Sequence, residues 1–95
     1  MLRKIRYKLV YNRSYRLNKR GEGLIEIECT QQQRRIYFST HVYVKPENFM
    51  HGVIIDTPNA DSLNYVLYKM VQEVEMIELE YIKRGVDVHL PMLRE

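Results

Sequence analysis

The chain has 95 residues, 45% of them hydrophobic, and a formal net charge of +3, which fits one small globular domain and excludes a disordered chain. Its single cysteine, Cys29, cannot form an internal disulfide, and its basic N-terminus lacks the apolar run of a secretory signal. Since no segment approaches the ~20 apolar residues of a membrane span, we expect a soluble protein of a reducing compartment that has no membrane partner.

Three segments alternate apolar and polar side chains, namely residues 4–11, 24–30 and 35–40. This period of two predicts β-strands, and consecutive hairpins would place the second strand in the middle of an antiparallel sheet. The third strand could extend to Val44. Residues 12–23 are polar and basic and end in two glycines, which predicts a long loop between the first two strands.

The same alternation assigns the strand side chains to two faces. Apolar side chains predicted to form the core are Ile5, Leu9, Ile25, Ile27, Ile36 and Phe38. Side chains predicted to point outward are Lys4, Arg6 and Lys8 on the first strand, Glu26 and Glu28 on the second, and Arg35, Tyr37 and Ser39 on the third. The outer face is therefore expected to be basic and aromatic at its edges and acidic along its middle strand.

A long helix is predicted after the sheet, over residues 60–84. Its apolar side chains recur at intervals of four and three, at Leu63, Leu67, Met70, Val74, Ile77 and Tyr81. Asn59 or Asp61 is suited to cap its start, and Gly85 to end it. The glutamates at 73, 75, 78 and 80 are expected to face solvent. The sequence thus predicts an α+β fold, a three-stranded antiparallel sheet packed on one long C-terminal helix (β-β-β-α).

The predicted helix is longer than the sheet it covers. Its residues would span ~37 Å at 1.5 Å each, whereas a six-residue strand spans ~20 Å. The C-terminal half is apolar and is expected to overhang, at Met76, Ile77, Leu79 and Ile82. The overhang needs a partner, for which we favour another domain over a second copy of the chain or a folded-back tail. Residues 85–95 then form a tail or linker.

The chain carries no recognisable catalytic or cofactor motif. His41, His51 and His89 have no ligating neighbours at metal-binding spacing, and no glycine-rich phosphate loop follows a strand. No serine, threonine or cysteine has an evident general base nearby. We therefore expect a non-catalytic chain with no cofactor, no metal and no small-molecule substrate.

The charge is divided between the two halves of the chain. Residues 1–45 carry eleven Lys or Arg and three Glu, a net charge of +8, and residues 46–95 carry a net charge of −5. This division indicates a polyanion-binding surface on the sheet, although it could also reflect attraction between sheet and helix. A narrow sheet fits the DNA major groove, with the loop arginines and lysines on phosphates. The predicted DNA contacts are Lys4, Arg6, Lys8, Arg13, Arg16, Lys19, Arg20, Arg34, Arg35, Tyr37 and Ser39.

Three stretches carry a family resemblance: RRIYFST at the end of the sheet, VYVKPENF after it, and PNADSLN at the start of the helix. On these motifs, residues 5–84 resemble the arm-type DNA-binding domain of bacterial tyrosine recombinases, the integrases of prophages and conjugative transposons. The resemblance implies a bacterial, cytoplasmic protein whose N-terminal sheet enters the major groove of arm-type sites to support DNA integration. It also implies that core-binding and catalytic domains follow residues 1–84, with tail residues 85–95 leading toward the first of them.

One feature departs from the family pattern. The middle strand of such domains often presents basic or neutral polar residues outward, whereas here it presents Glu26 and Glu28. A glutamate there can accept a hydrogen bond from cytosine N4 or orient a neighbouring arginine. Two other functions stay open: binding of double-stranded RNA by the same sheet, and binding of another domain or protomer through the overhanging helix.

Overall fold

The computed structural model of the chain describes residues 3–94. A three-stranded antiparallel sheet is followed by a short hairpin and a long helix, which confirms the predicted α+β class and β-β-β-α order. The strands are β1 (Arg6–Tyr11), β2 (Gly23–Gln31), β3 (Arg34–Val44), β4 (Phe49–Met50) and β5 (Val53–Ile54), and the long helix is α1 (Ala60–Lys83). Two 3-10 helices occupy Pro46–Asn48 and Leu90–Arg94.

Strand β2 lies in the middle of the sheet and pairs antiparallel with β1 and β3. Its apolar side chains Ile25, Ile27 and Cys29 are fully buried, because they face α1 and the C-terminal segment. The acidic side chains between them point to the opposite, outer face. The predicted alternation of β2 is therefore confirmed.

Strand β3 reaches Val44 through an irregularity in its pairing with β2. The register shifts after Ile25, where Thr40 and His41 are extra residues on β3. The Thr40 hydroxyl bridges the gap by donating to the carbonyl oxygen of Ile25 at 2.6 Å. Because two residues are inserted rather than one, the alternation stays in phase, and Val44 still faces the core.

A second, two-stranded sheet closes the end of the core beside the start of the helix. Strands β4 and β5 are joined by His51 and Gly52, which both have positive φ (53° and 79°), as a tight two-residue hairpin requires. The side-chain amide of Asn64 on α1 binds both backbone groups of Ile54, at 2.8 and 2.9 Å. Strand β5 is therefore half of a hairpin that is fastened to the helix.

Helix α1 begins and ends close to the predicted residues. Asn59 is the N-cap residue, although its side chain makes no capping hydrogen bond. At the other end Gly85 has φ of 75°, and its N–H donates to Ile82 O at 2.9 Å, while Val86 N–H donates to Tyr81 O at 3.0 Å. This left-handed glycine ends the helix and reverses the chain toward the sheet.

Two adjoining hydrophobic clusters fill the space between the sheet and the helix. The first is formed around Ile5, Ile27, Cys29, Val88, Leu90 and Leu93. The second is formed around Ile25, Val44, Ile54 and Leu67. Both halves of α1 are therefore covered on their sheet-facing side.

The C-terminal residues 86–94 fold back onto the sheet. Val88, Leu90 and Leu93 are buried in the first cluster. The side-chain amide of Gln31, at the end of β2, donates to the carbonyl oxygen of Val88 at 2.6 Å. The segment predicted as a tail or linker thus completes the core of the same domain.

This segment also accounts for part of the predicted overhang of the helix. Ile77 packs against the first cluster, which contains Val88, Leu90 and Leu93 of the returning chain. Met76 and Ile82 remain about half exposed, at 50% and 46%. For Ile77 the cover therefore comes from within the domain, and the folded-back tail, an alternative to the favoured separate domain, contributes to it.

Glu78 is the main exception to the predicted solvent-facing row of helix glutamates. Its side chain is 1% exposed and accepts hydrogen bonds from the backbone N–H of Ile5 at 2.7 Å and the hydroxyl of Tyr7 at 3.0 Å. Lys4 Nζ lies 3.2 Å from the same carboxylate. The buried charge is thus fully partnered, and it fastens the chain entering β1 to the helix.

Candidate nucleic-acid interface

The outer face of the sheet, opposite the helix, carries most of the predicted strand residues in register. Arg6 on β1 and Arg35 on β3 pair with Thr30 on β2 from either side. In the next outward row, Lys8 and Tyr37 flank Glu28. A third row is Val10, Glu26 and Ser39. The predicted outward placement of Arg6, Lys8, Arg35, Tyr37 and Ser39 is therefore confirmed.

We call the first row, Arg6–Thr30–Arg35, the arginine row. Both guanidinium groups are exposed, and neither has a carboxylate within salt-bridge distance among residues 3–94. A shallow cleft of about 310 Å³ opens between them, lined also by Lys8 and Glu28. Two cations held across a short polar residue make this an electropositive part of the outer face.

The middle of the outer face holds a hydrogen-bonded set that we call the central network: Lys8, Arg13, Glu26, Glu28 and Tyr37. Glu28 accepts from the hydroxyl of Tyr37 at 3.2 Å and lies 3.8 Å from Nζ of Lys8. The hydroxyl of Thr30 is 3.5 Å from its other oxygen. These contacts pair Glu28 with both neighbouring strands, so the acids offset the charge at the centre of the sheet.

Arg13 belongs to this network although it lies in the loop. Its guanidinium reaches both carboxylate oxygens of Glu26, each at 3.2 Å, and lies over the ring of Tyr37 with 3.8 Å between Cζ and the ring centroid. The hydrogen bond and charge of Glu26 raise the pKa of Arg13 above its ordinary value. Arg13, predicted to contact phosphates from the loop, therefore lies on the outer face of the sheet.

The placement predicted for Lys4 is wrong. Lys4 precedes β1, and its Nζ lies 2.5 Å from Glu75 and 3.2 Å from Glu78 on α1. Burial lowers the pKa of Lys4, but the hydrogen bonds and charges of the two glutamates outweigh it and hold the pKa above its ordinary value. The alternation of β1 does not extend to this residue because the buried carboxylate of Glu78 draws it toward the helix.

The loop between β1 and β2 is ordered by the side chain of Asn18. Its Oδ1 accepts from the backbone N–H groups of Arg20 and Glu22, both at 2.9 Å, and Gly21 N–H donates to Asn18 O at 2.9 Å. The exposed cations of the loop are Arg16, Lys19 and Arg20, which have no ion-pair partner among the described residues. The turn thus presents charge that no residue in the described part of the chain neutralises by an ion pair.

Tyr15 in this loop was not expected to have a role. It is 92% exposed and has φ of 59°, a left-handed conformation that is costly for a bulky residue. An aromatic ring between two arginines, held out by an ordered loop, is suited to packing on a sugar or base. The only signal in the sequence was its position in the segment NRSYR.

Further cations lie at the opposite end of the sheet, around the turn between β2 and β3. Arg34, predicted as a contact, is exposed at the start of β3 and lines a shallow cleft with Arg3, Gln32 and Gln33. Arg3 was missed because it precedes the alternating segment. Gln31 fixes its position by donating to its carbonyl oxygen at 2.9 Å. Uncompensated charge therefore stands at both ends of the outer face.

The described part of the chain contains no group of three His, Cys, Asp or Glu side chains placed to hold a metal ion. Burial raises the pKa of the Cys29 thiol to about 11, although Arg94 opposes the shift. A thiol of this kind is protonated near neutral pH and is a poor nucleophile. No helix within residues 3–94 combines the length and the apolar character that a membrane crossing requires.

The family model of the arm DNA-binding domain matches residues 10–94, a range that includes the returning C-terminal segment. Comparisons with curated proteins and with solved structures give no match. Such domains are non-catalytic DNA-binding modules typical of the N-termini of tyrosine recombinases. By its sequence match and its sheet-and-helix fold, the chain belongs to the arm DNA-binding domain family.

Proposed function

We propose that this domain binds arm-type sites in duplex DNA as the N-terminal part of a bacterial, cytoplasmic integrase of the tyrosine recombinase class. In this proposal it supports the integration of a mobile element, and the catalytic and core-binding domains lie elsewhere in the protein. Membership of the arm DNA-binding domain family supports the assignment. The proposed mechanism is that the outer face of the sheet enters the major groove.

The observation that carries the mechanism is the arginine row. Two exposed arginines, which have no ion-pair partner among residues 3–94, are held on either side of Thr30. Even an exposed ion pair contributes only about 0–1 kcal/mol to stability. The charge of these two arginines is therefore better explained by a polyanionic ligand than by stability. Arginine also matches the O6 and N7 acceptors of guanine in the major groove.

The dimensions of the sheet agree with this mechanism. Neighbouring strands lie ~4.8 Å apart, so β1 and β3 are separated by ~10 Å, close to the ~12 Å width of the major groove. On this basis the groove-facing residues are Arg6, Lys8, Arg35, Tyr37 and Ser39. Residues proposed to contact phosphates around them are Arg13, Arg16, Lys19, Arg20 and Arg34. Lys4 is left out of the set because it pairs with the helix.

The proposal is tested by fluorescence anisotropy with duplex DNA at about 50 and 200 mM salt and with duplex RNA as competitor. Displacement of several phosphate counterions predicts that affinity falls steeply with salt. Since A-form RNA hides its major groove, we expect RNA to compete poorly. Equal competition by RNA would favour the double-stranded RNA alternative, and absence of binding at low salt would reject the mechanism.

A second candidate function is protein binding through the solvent face of α1. Tyr65, Tyr68 and Met76 lie on that face and are at least half exposed, at 62%, 59% and 50%. Another domain or protomer of the recombinase could cover them. In a recombination assay, Met76→Asp should then reduce activity without weakening the binding of the isolated domain to DNA. If weaker DNA binding accounted for the whole loss of activity, this function would be excluded.

A further inference from the structure

The two outer-face glutamates differ in how far their acceptor capacity is used. The two side chains are about equally exposed, at 14% and 13%, but both oxygens of Glu26 are engaged by the guanidinium of Arg13 in a charged two-pronged contact. Glu28 has a single well-formed partner, the Tyr37 hydroxyl at 3.2 Å, beside longer approaches of 3.5 Å from Thr30 and 3.8 Å from Lys8. Since each carboxylate oxygen can accept two hydrogen bonds, Glu28 retains capacity for a ligand.

Glu28 also occupies the position best suited to reading a base. It lies on the middle strand, at the centre of the outer face, with β1 and β3 residues on either side. Its side chain is only 13% exposed, because Tyr37, Thr30 and Lys8 surround it. A carboxylate fixed in this way would meet a base edge without first losing rotamer freedom.

The chemistry of a carboxylate restricts what it can read. An ionised carboxylate only accepts hydrogen bonds, and the major groove offers donors only at cytosine N4 and adenine N6. Adenine places its N7 acceptor beside N6, which would repel a second carboxylate oxygen, whereas cytosine has a C–H group at the corresponding side. Cytosine is therefore the better match.

The neighbouring arginine row makes such a contact feasible. Lys8 and Tyr37 flank Glu28, and Arg6 and Arg35 lie two residues along the strands from them, a separation of about 7 Å. The charges of the two arginines offset the repulsion between Glu28 and the phosphates. Arginine is the usual reader of guanine, so the row can bind the guanine of the same or an adjacent pair. The outer face then presents an acceptor for cytosine beside a row of two donors for guanine.

We propose that Glu28 is a specificity-determining residue that accepts a hydrogen bond from cytosine N4 in the major groove, and that Tyr37 is the residue that positions it. This inference rests on the proposed binding of DNA by the sheet. It assigns Glu26 no reading role, since Arg13 occupies that carboxylate. Tyr37, predicted as a direct contact, acts in this proposal by positioning Glu28, while Arg13 lies over its ring.

The test is selection of bound sequences from randomised duplexes by the wild-type domain and by Glu28→Gln, Glu28→Ala and Tyr37→Phe. We expect the wild type to select a cytosine position that Glu28→Ala no longer distinguishes. Glu28→Gln, which keeps the side-chain shape but adds an amide donor, should shift the preference toward adenine. Tyr37→Phe should give a preference between those of the wild type and Glu28→Ala. Glu26→Ala serves as the matched control and should keep the cytosine.

A second measurement replaces the selected cytosine by N4-methylcytosine, which still pairs with guanine but carries a methyl group where the major-groove N–H stood. The wild type should bind this duplex roughly 5- to 150-fold more weakly, in line with the discrimination of a good side-chain–base pair, and Glu28→Ala should be little affected. Equal losses in both proteins, or an unchanged selection by Glu28→Ala, would overturn the role of Glu28. Failure of the wild type to bind any duplex would instead overturn the proposed function itself.

Discussion

Arg13 lies over the ring of Tyr37, with its Cζ 3.8 Å from the ring centroid, while its nitrogen atoms reach the carboxylate of Glu26. A loop residue and a strand residue thus form one layer on the outer face of the sheet. This layer covers one of the two central acids and leaves the other, Glu28, beside the arginine row. It determines which parts of the face are neutralised and which can attract DNA.

Replacing Arg13 should weaken DNA binding more than replacing a loop arginine without partners. Arg13→Ala removes a cation and also uncovers Glu26, whose negative charge would then face the phosphates. Arg16→Ala removes a cation only and is the matched control. Anisotropy titrations should rank the affinities as wild type, Arg16→Ala, then Arg13→Ala, and adding Glu26→Ala to Arg13→Ala should restore part of the loss. Equal losses for the two single variants would contradict this account of the layer.

Arg35 and Lys19 should differ in the kind of loss they cause. Arg35→Ala should cost about 1–3 kcal/mol of binding to the selected site and relax the preference at one position, as expected of a base reader. Lys19→Ala should weaken binding to all sequences alike and lower the salt slope by about one. Both are measured by titrating a selected and a scrambled duplex at several salt concentrations. Losses independent of sequence in both variants would remove Arg35 from the set of readers.

Glu78 should be important for stability although it lies far from the outer face. Glu78→Ala would leave the Ile5 N–H and the Tyr7 hydroxyl without their acceptor in a buried place. Loss of one partner from such a buried set costs about 3–5 kcal/mol. Urea unfolding followed by circular dichroism should show this loss, whereas the exposed control Glu80→Ala should change stability by less than about 0.5 kcal/mol. Similar small effects in both variants would contradict the structural role of Glu78.

The domain should lose stability at alkaline pH. Burial raises the pKa of Cys29 from 9.0 to about 11. Burial and the charge of Glu78 raise the pKa of Tyr7 above 10.0, and the glutamate partners hold that of Lys4 above 10.5. All three groups hold their protons more tightly in the folded state, so their contributions are complete below pH 9 and are lost as the pH rises through the folded pKa values.

Urea midpoints at pH 7, 9 and 10.5 test this dependence. The midpoint should be similar at pH 7 and 9 and fall by pH 10.5. Cys29→Ala removes one of the titrating groups and should show a shallower fall between pH 9 and 10.5. A midpoint that rises with pH over this range would have the wrong sign for all three shifts.

The regular parts of the fold could be predicted from the sequence because their patterns are local. The alternation of β2 and the spacing of apolar residues along α1 depend only on which side chains share a face, and both are confirmed. Gly85 was identified as the end of the helix for the same reason, since a left-handed residue is needed there.

The errors lie where distant parts of the chain meet. Lys4 follows the alternation of β1 in the sequence, but a buried glutamate 74 residues away holds it on the helix side. Residues 86–94 have no clear periodicity, so nothing local indicated that Val88, Leu90 and Leu93 would complete the core. For Arg13, expected to contact phosphates from the loop, the partners Glu26 and Tyr37 could not be predicted, because they are brought near it only by the sheet register.

The most direct test of the central claim compares two double charge reversals by anisotropy at about 50 mM salt. Arg6→Glu with Arg35→Glu reverses the arginine row, and Lys69→Glu with Lys83→Glu makes the same change in net charge on the helix. If the outer face of the sheet binds DNA, the first variant should lose nearly all affinity and the second should keep most of it. Equal losses, or a greater loss in the helix variant, would contradict the account.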